Sequence, residues 1–362
     1  MCVRSERRLR GTNAAASGLN CRGLCLEQCN GQPSSTGLAA RDLHDYWAGD
    51  PGAPTGPAQR TAMSIVVGLH HATRYEYDRP VRLGPQAVRL RPAPHGRALI
   101  SSYALMVEPA QHSVHWQQDP YANWLARFVF RDKTAALSLA VDLEAEIAPR
   151  NPFDFFLEPY AETWPFTFPP ELREDVAPFL NAAPTGAHLD ELVRSLPRGP
   201  QNTVDFLVVL NRRLRHLIRY VTRLEDGVQT PEETLASGVG SCRDTAWLLV
   251  QVLRHAGLPA RFVSGYLIEL AAEATPHQSD TGSEHDRAAL HAWTEVYLPG
   301  AGWIGLDATS GLLCGEGHVP LAATPHYRSA APVSGTVEPC EVRFSHHINV
   351  RRIAETADRP PR

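Results

Sequence analysis

One cysteine, Cys242, stands between the glycine turn Gly238-Val239-Gly240-Ser241 and a run that contains neither Gly nor Pro, Thr245-Ala246-Trp247-Leu248-Leu249-Val250-Gln251-Val252-Leu253-Arg254. The run is rich in helix formers and keeps apolar residues at helical intervals, which predicts a helix with Cys242 at or near its N-terminus. There the unpaired backbone N–H groups and the positive end of the macrodipole favour a thiolate, drawing the pKa below the free value of about 8.5. A thiolate attacks carbonyl carbon if a base and an orienting group stand beside it. Without them a free cysteine is ordinarily a small buried apolar residue.

Two residues could complete the set. His291 opens the strand pattern Ala292-Trp293-Thr294-Glu295-Val296-Tyr297-Leu298, and Asp307 closes Trp303-Ile304-Gly305-Leu306, with Pro299-Gly300-Ala301-Gly302 as the turn between them. A hairpin sets the start of one strand beside the end of the next, so His291 and Asp307 are expected to meet. Taken singly, such a histidine is usually solvated and such an aspartate usually a turn former. Their joint placement points to a nucleophile, a base and an orienter: Cys242, His291 and Asp307. The serine-hydrolase elbow G-x-S-x-G does not fit, because Asp244 stands where its second glycine belongs and the chain order differs. Cysteine, histidine, then an orienting Asn or Asp is the papain-like order.

Elements must position these residues. Residues 1–62 mix Arg, Ser, Gly, Pro and Ala without a period and are expected to be disordered, and Met63 is a candidate true start. Truncation to Met63 is expected to leave solubility and activity intact. Residues 63–165 read as an antiparallel β domain with an aromatic connector; from Leu137 to Ile147 every odd position is apolar. His70 and His71 fall in one of its early strands, where a structural role is expected. The segment from Asn151 to Pro170 packs aromatics between prolines, so it is expected to lie extended with its aromatics buried. In the remainder, 166–353, helices near Leu189–Leu196 and Thr203–Arg219 and the cysteine helix precede the strands, which gives an α+β domain. Residues 354–362 are expected to be a disordered tail.

Composition narrows the function. The 362 residues are 43% hydrophobic with a formal net charge of −4, enough apolar matter for one or two cores and no basic excess for nucleic acid. No run approaches the roughly 18 apolar residues of a membrane span, and no secretory segment follows the early arginines, so a cytoplasmic location with no membrane partner is expected. Lys133 is the sole lysine, which leaves the protein a poor amine donor to itself. Cys2, Cys21, Cys25, Cys29, Cys314 and Cys340 form no disulfide framework, and the early spacing matches no usual zinc or iron–sulfur pattern. A metallohydrolase built from His277, His285, His291, Asp280, Glu284 and Asp286 is the competing chemistry, but no spacing there matches H-E-x-x-H.

The motifs Gln229-Thr230-Pro231-Glu232-Glu233-Thr234-Leu235 with Gly238 through Asp244, His291-Ala292-Trp293-Thr294-Glu295-Val296, and Gly302-Trp303-Ile304-Gly305-Leu306-Asp307 resemble the core of the transglutaminase-like superfamily. Arg74-Tyr75-Glu76-Tyr77, the aromatic segment and Gly315-Glu316-Gly317-His318-Val319-Pro320-Leu321-Ala322 resemble its bacterial branch. The resemblance implies an all-β N-terminal domain before a papain-like core in which the cysteine helix packs on an antiparallel sheet. It also implies Cys242 as nucleophile, His291 as general base and acid, and Asp307 as orienter; no segment has the alternating oxygens of a calcium site such as the animal enzymes carry, and no cofactor or metal is expected. The partner implied is a peptide or protein with an amide or glutamine side chain. Ala308 replaces a proline common in the family, and the tryptophan that helps bind the oxyanion in animal transglutaminases has no counterpart before Cys242. The Cys242 N–H is then the expected donor, with Gln229 or Tyr220 second. Hydrolysis is expected over amine transfer, since no calcium control accompanies the core; a non-catalytic binding module on the same fold is the remaining alternative.

Overall fold

The computed structural model describes residues 7–9, 64–223, 225–271 and 285–356. The expected disorder of residues 10–62 and 357–362, the cysteines Cys2, Cys21, Cys25 and Cys29, and Met63 lie outside the described residues.

The chain enters through β1 (Arg7–Leu9), β2 (Ser64–Val81), β3 (Gln86–Val88), β4 (Leu99–Glu108), β5 (His112–Gln118), β6 (Trp124–Phe130) and β7 (Thr134–Ile147). An extended segment leads to β8 (Thr163–Trp164), α1 (Pro170–Asp175), α2 (Ala177–Leu180), α3 (Ala187–Arg194), β9 (Gln201–Asn202) and α4 (Thr203–Leu217). Next come β10 (Arg219–Tyr220), α5 (Pro231–Ser237), β11 (Val239–Gly240) and α6 (Cys242–His255). The strands β12 (Ala260–Glu269), β13 (Arg287–Leu298), β14 (Gly302–Asp307), β15 (Leu312–Leu313) and β16 (His318–Thr324) follow, then β17 (Val333–Ser334) and β18 (Val342–Thr356).

The β7 alternation is realised: Leu137, Leu139, Val141, Leu143, Ala145 and Ile147 are all buried on one face. That face belongs to a sheet of order β1-β18-β2-β7-β4, and a second sheet has the order β17-β3-β6-β5. Downstream, β15-β14-β13-β12-β16 form an antiparallel sheet, and α6 packs on β13 and β12. Apolar side chains of β12, β13 and β16 join the N-terminal core at Tyr266, Leu290, Val319 and Leu321. The architecture is α+β, an all-β N-terminal region followed by a core with its helix on a sheet.

The domain boundaries differ from expectation. β17 and β18 come from the stretch assigned to the core and its tail, yet they pair with β3 and β2, β18 from Val342↔Tyr77 to Thr356↔Ser64. The long β2 needs a neighbour on each side; with β7 alone it would expose a row of unpaired backbone groups. Order therefore continues past Ile353, and Arg7–Leu9, placed in the disordered extension, pairs with Val342–Phe344.

His71 is structural, as its strand position implied. Its Nδ1 meets Tyr266 Oη at 2.8 Å and its Nε2 meets Thr73 Oγ1 at 2.8 Å. Burial first, then the His346, His70 and His347 charges, lower its pKa to about 3, so it stays neutral. The aromatic segment is only half buried. Trp164 stacks on Phe206 at 3.9 Å and donates to Ala256 O, whereas Phe156 is 86% exposed, because the segment uses alternate residues to reach the core. No helix among the described residues is long and apolar enough to cross a membrane.

Candidate active site

Gly238 ends α5 in the left-handed region at φ +63°, which an L side chain rarely adopts. Gly240 is needed for space, since a Cβ there would meet Asp244 Cβ at 3.1 Å and Thr234 Cγ2 at 3.3 Å. The chain then turns at Ser241, the N-cap, and Cys242 is the first residue of α6, buried to 2% exposure. Asp244 reaches back to this turn. Its carboxylate accepts from Ser241 N (2.8 Å) and Oγ (2.7 Å), Gln229 N (2.8 Å), and Arg223 Nε (2.7 Å) and Nη2 (3.3 Å). Burial pushes its pKa up, but the bonds from Arg223, Ser241 and Gln229 outweigh it and hold it down. The Arg243 guanidinium donates to the carbonyls of Arg223 and Glu225. Arg243 and Asp244 thus latch the segment before α5 onto the start of the cysteine helix.

His291 is the fifth residue of β13 rather than its first, because the strand begins at Arg287. The hairpin register pairs Thr294 with Leu306, so Asp307 stands opposite Trp293 and His291 is its diagonal neighbour on the same face. His291 Nε2 lies 3.2 Å from Asp307 Oδ2, with both side chains almost wholly buried. Asp307 also accepts from Thr309 N at 2.8 Å and Ser310 Oγ at 3.0 Å. Burial disfavours the imidazolium, yet the Asp307 charge and hydrogen bond, with the hydrogen bond and charge of Cys242, raise the His291 pKa to about 10. Burial would raise the Asp307 pKa, but the His291 charge and hydrogen bond, then those of His318, hold it well below the usual carboxylate range. The three residues singled out from the sequence are therefore together, with Cys242 hydrogen-bonded to a histidine that pairs with Asp307.

His318, which opens β16, was not singled out. Its Nε2 lies 3.7 Å from Asp307 Oδ2, and its ring stands edge-on to Trp293 with centroids 5.1 Å apart. A histidine beside Gly317 in an irregular stretch carries no periodic signal; only the register of β16 against β12 brings it to Asp307. Gln229, a second-rank oxyanion donor by sequence, has its Oε1 engaged by Thr234 Oγ1 at 3.2 Å. Tyr220 pairs with Gly240 on the short β10–β11 ladder, beside the turn that leads to Cys242.

Ligand atoms of His291, Asp307 and His318 lie within 4.8 Å of one another, a spacing a metal ion could use. The chemistry of the set favours protons instead, since the carboxylate is already filled by Thr309, Ser310 and the His291 ion pair. Of the competing metal segment, His277, Asp280 and Glu284 lie outside the described residues, while Asp286 is taken by Arg352 at 3.0 Å and Ala271 N at 2.8 Å. Chelator is therefore expected to leave activity unchanged, and micromolar zinc to inhibit reversibly by competing for the His291 nitrogen; chelator inactivation in a turnover assay would overturn this.

A sequence model of the bacterial transglutaminase-like N-terminal region matches residues 67–146, and one of the transglutaminase-like superfamily matches residues 190–308. The chain belongs to the transglutaminase-like superfamily. An uncharacterized protein of Mycobacterium tuberculosis is 26% identical over 280 residues, covering 74% of this chain and 86% of its own. One of Mycobacterium leprae is 30% identical over 96 residues, 26% of this chain and 31% of its own. The crystal structure of a candidate cysteine protease from Cytophaga hutchinsonii has the same fold, with a TM-score of 0.58 at 18% identity over 83% of this chain and 93% of that one.

Proposed function

We propose that the chain is a thiol-dependent acyl-transfer enzyme that hydrolyses peptide or carboxamide bonds, a cysteine peptidase or amidase. The observation that carries this reading is the hydrogen bond between Cys242, at the start of α6, and His291, whose Nε2 is held by Asp307. Helix start and imidazolium both favour the thiolate. In this mechanism Cys242 Sγ attacks the carbonyl carbon while the Cys242 N–H faces the developing oxyanion. His291 passes its proton to the amine nitrogen as the C–N bond breaks, leaving a thioester. Water then gives a proton to His291 as its oxygen attacks the thioester, the acid leaves, and the thiolate returns.

Water is preferred over an amine as second acceptor because it is the smaller nucleophile: with the thiol 2% exposed and His291 1%, an acylated Cys242 leaves least room for a lysine side chain carried on a second protein. An activated acyl ester is expected to label the wild type stoichiometrically and Cys242→Ala not at all, as read by intact mass. Equal labelling of both would return the fold to a binding module. Adding primary amine during deacylation separates the acceptors: an acid product supports hydrolysis, and an amide as main product would make the protein an amine transferase.

A further inference from the structure

A cavity of about 630 Å³ opens in the N-terminal region, away from Cys242. Its walls are the connector ahead of β4, β4 itself, and Trp116 and Trp124 from β5 and β6. Arg91 sits among aromatic faces there, its guanidinium carbon 4.5 Å from the Trp124 ring centre, 5.6 Å from Trp116 and 5.7 Å from Tyr103. Among the described residues no carboxylate pairs with it. The Tyr103 hydroxyl, in the same wall, is buried without a hydrogen-bond partner among those residues. Burial pushes the Tyr103 phenol up against the opposing charge of Arg91, so it remains a donor.

A buried hydroxyl left unpaired is costly, and a guanidinium stacked on rings still has its edge N–H groups to offer. Two unused donors lining one cavity define a place for a carboxylate. The surroundings fit a peptide. Ala98, Ile100 and Leu105 line the cavity as well, apolar surface beside the charge. β4 and β5 are each the last strand of their sheets, so each presents an open backbone edge to an extended chain. The cavity shares one wall residue with a second that lies nearer the site, where His318 stands 3.7 Å from Asp307. Gly96 lines both it and a smaller cavity of about 230 Å³, whose wall includes Trp293 and His318.

We propose that the cavity around Arg91 docks an acidic segment of the peptide substrate, its carboxylate held by Arg91 and Tyr103 and its backbone running past Gly96 toward His318 and Asp307. Docking itself needs no chemistry; its catalytic consequence rests on the function proposed for Cys242.

The test uses the full chain carrying Cys242→Ser and a fluorescein-labelled peptide of alternating glutamate and alanine, titrated by anisotropy. Saturable binding is expected, with none for the same peptide carrying lysine in place of glutamate. Arg91→Gln and Tyr103→Phe should each weaken binding by about tenfold or more. Trp116→Ala, at a half-exposed position where folding is not at stake, should weaken it as well. In the active protein, Arg91→Gln should raise KM for glutamate-rich peptides more than for uncharged ones. Equal binding of the lysine peptide, indifference to Arg91 and Tyr103, or saturable binding of a neutral oligosaccharide in place of the peptide would overturn the proposal. If acidic peptide binds through Arg91 but the acyl ester fails to label Cys242, the catalytic reading falls and the docking site stands; labelling without acidic binding gives the reverse.

Discussion

Asp307→Asn is expected to lower turnover by about four orders of magnitude with the fold retained, the size seen when an orienting carboxylate becomes an amide. The reason lies in what raises the His291 pKa. Burial alone lowers it, and it reaches about 10 through the charge and hydrogen bond of Asp307, aided by Cys242. With an amide at 307 the desolvation remains and the charge does not, so His291 turns neutral and Cys242 loses the cation that favours its thiolate. Single-turnover acylation across pH separates this from misfolding. The wild type should keep its rate until pH rises toward about 10, where the imidazolium that protonates the leaving amine is lost. In Asp307→Asn that limb should move to lower pH; an unmoved limb would mean that Asp307 does not set the state of His291.

Stability carries the same signs. The His291 pKa is raised, so its contribution is complete below the unfolded value of about 6.5 and is lost as pH climbs through about 10. The Asp307 pKa is depressed, so its contribution is present above about 3.9 and is lost as pH falls through its lower folded value. Both are complete between about pH 4 and 6.5, and thermal stability from these groups should be greatest there. His318→Gln should cost about tenfold in rate, as loss of a supporting partner does, and should raise the acid limb because one of the groups holding down the Asp307 pKa is gone.

The site was legible where local pattern and hairpin geometry fix position. Cys242 follows from a glycine turn before an apolar helix, and His291 with Asp307 from one hairpin whose turn is written in Pro299 and two glycines. What was missed depends on contacts distant in sequence. His318 reaches Asp307 only because β16 pairs with β12, a register that no short window contains. β18 reads as the end of the core and the start of its tail until β2 is known to lack a neighbour on that side. Phe156 shows the opposite failure: hydrophobicity argued for burial, but an extended segment buries only the residues that face the core.

Asp244→Ala should destabilise the protein by about 3–5 kcal/mol, the usual cost of leaving a buried ion without its partner. The carboxylate is fully buried, and Arg223 is only 15% exposed, so removing Asp244 leaves the guanidinium with Gly227 O and the exposed Glu225 at 3.6 Å as its remaining partners, where water reaches it poorly. The same substitution leaves Ser241 N and Gln229 N without their acceptor at the start of α6. Urea unfolding of the wild type, Asp244→Ala, Arg223→Ala and the double variant measures this. The double variant should be much less destabilised than the sum of the two, since the second change removes the ion that the first had stranded. Additive effects, or a loss below about 1 kcal/mol for Asp244→Ala, would show the pair to be an ordinary surface bridge. The consequence for chemistry follows from place. Asp244 fixes the turn that presents Cys242, so folded Asp244→Ala should also acylate more slowly, because a thiol displaced by about 1 Å loses its alignment with His291.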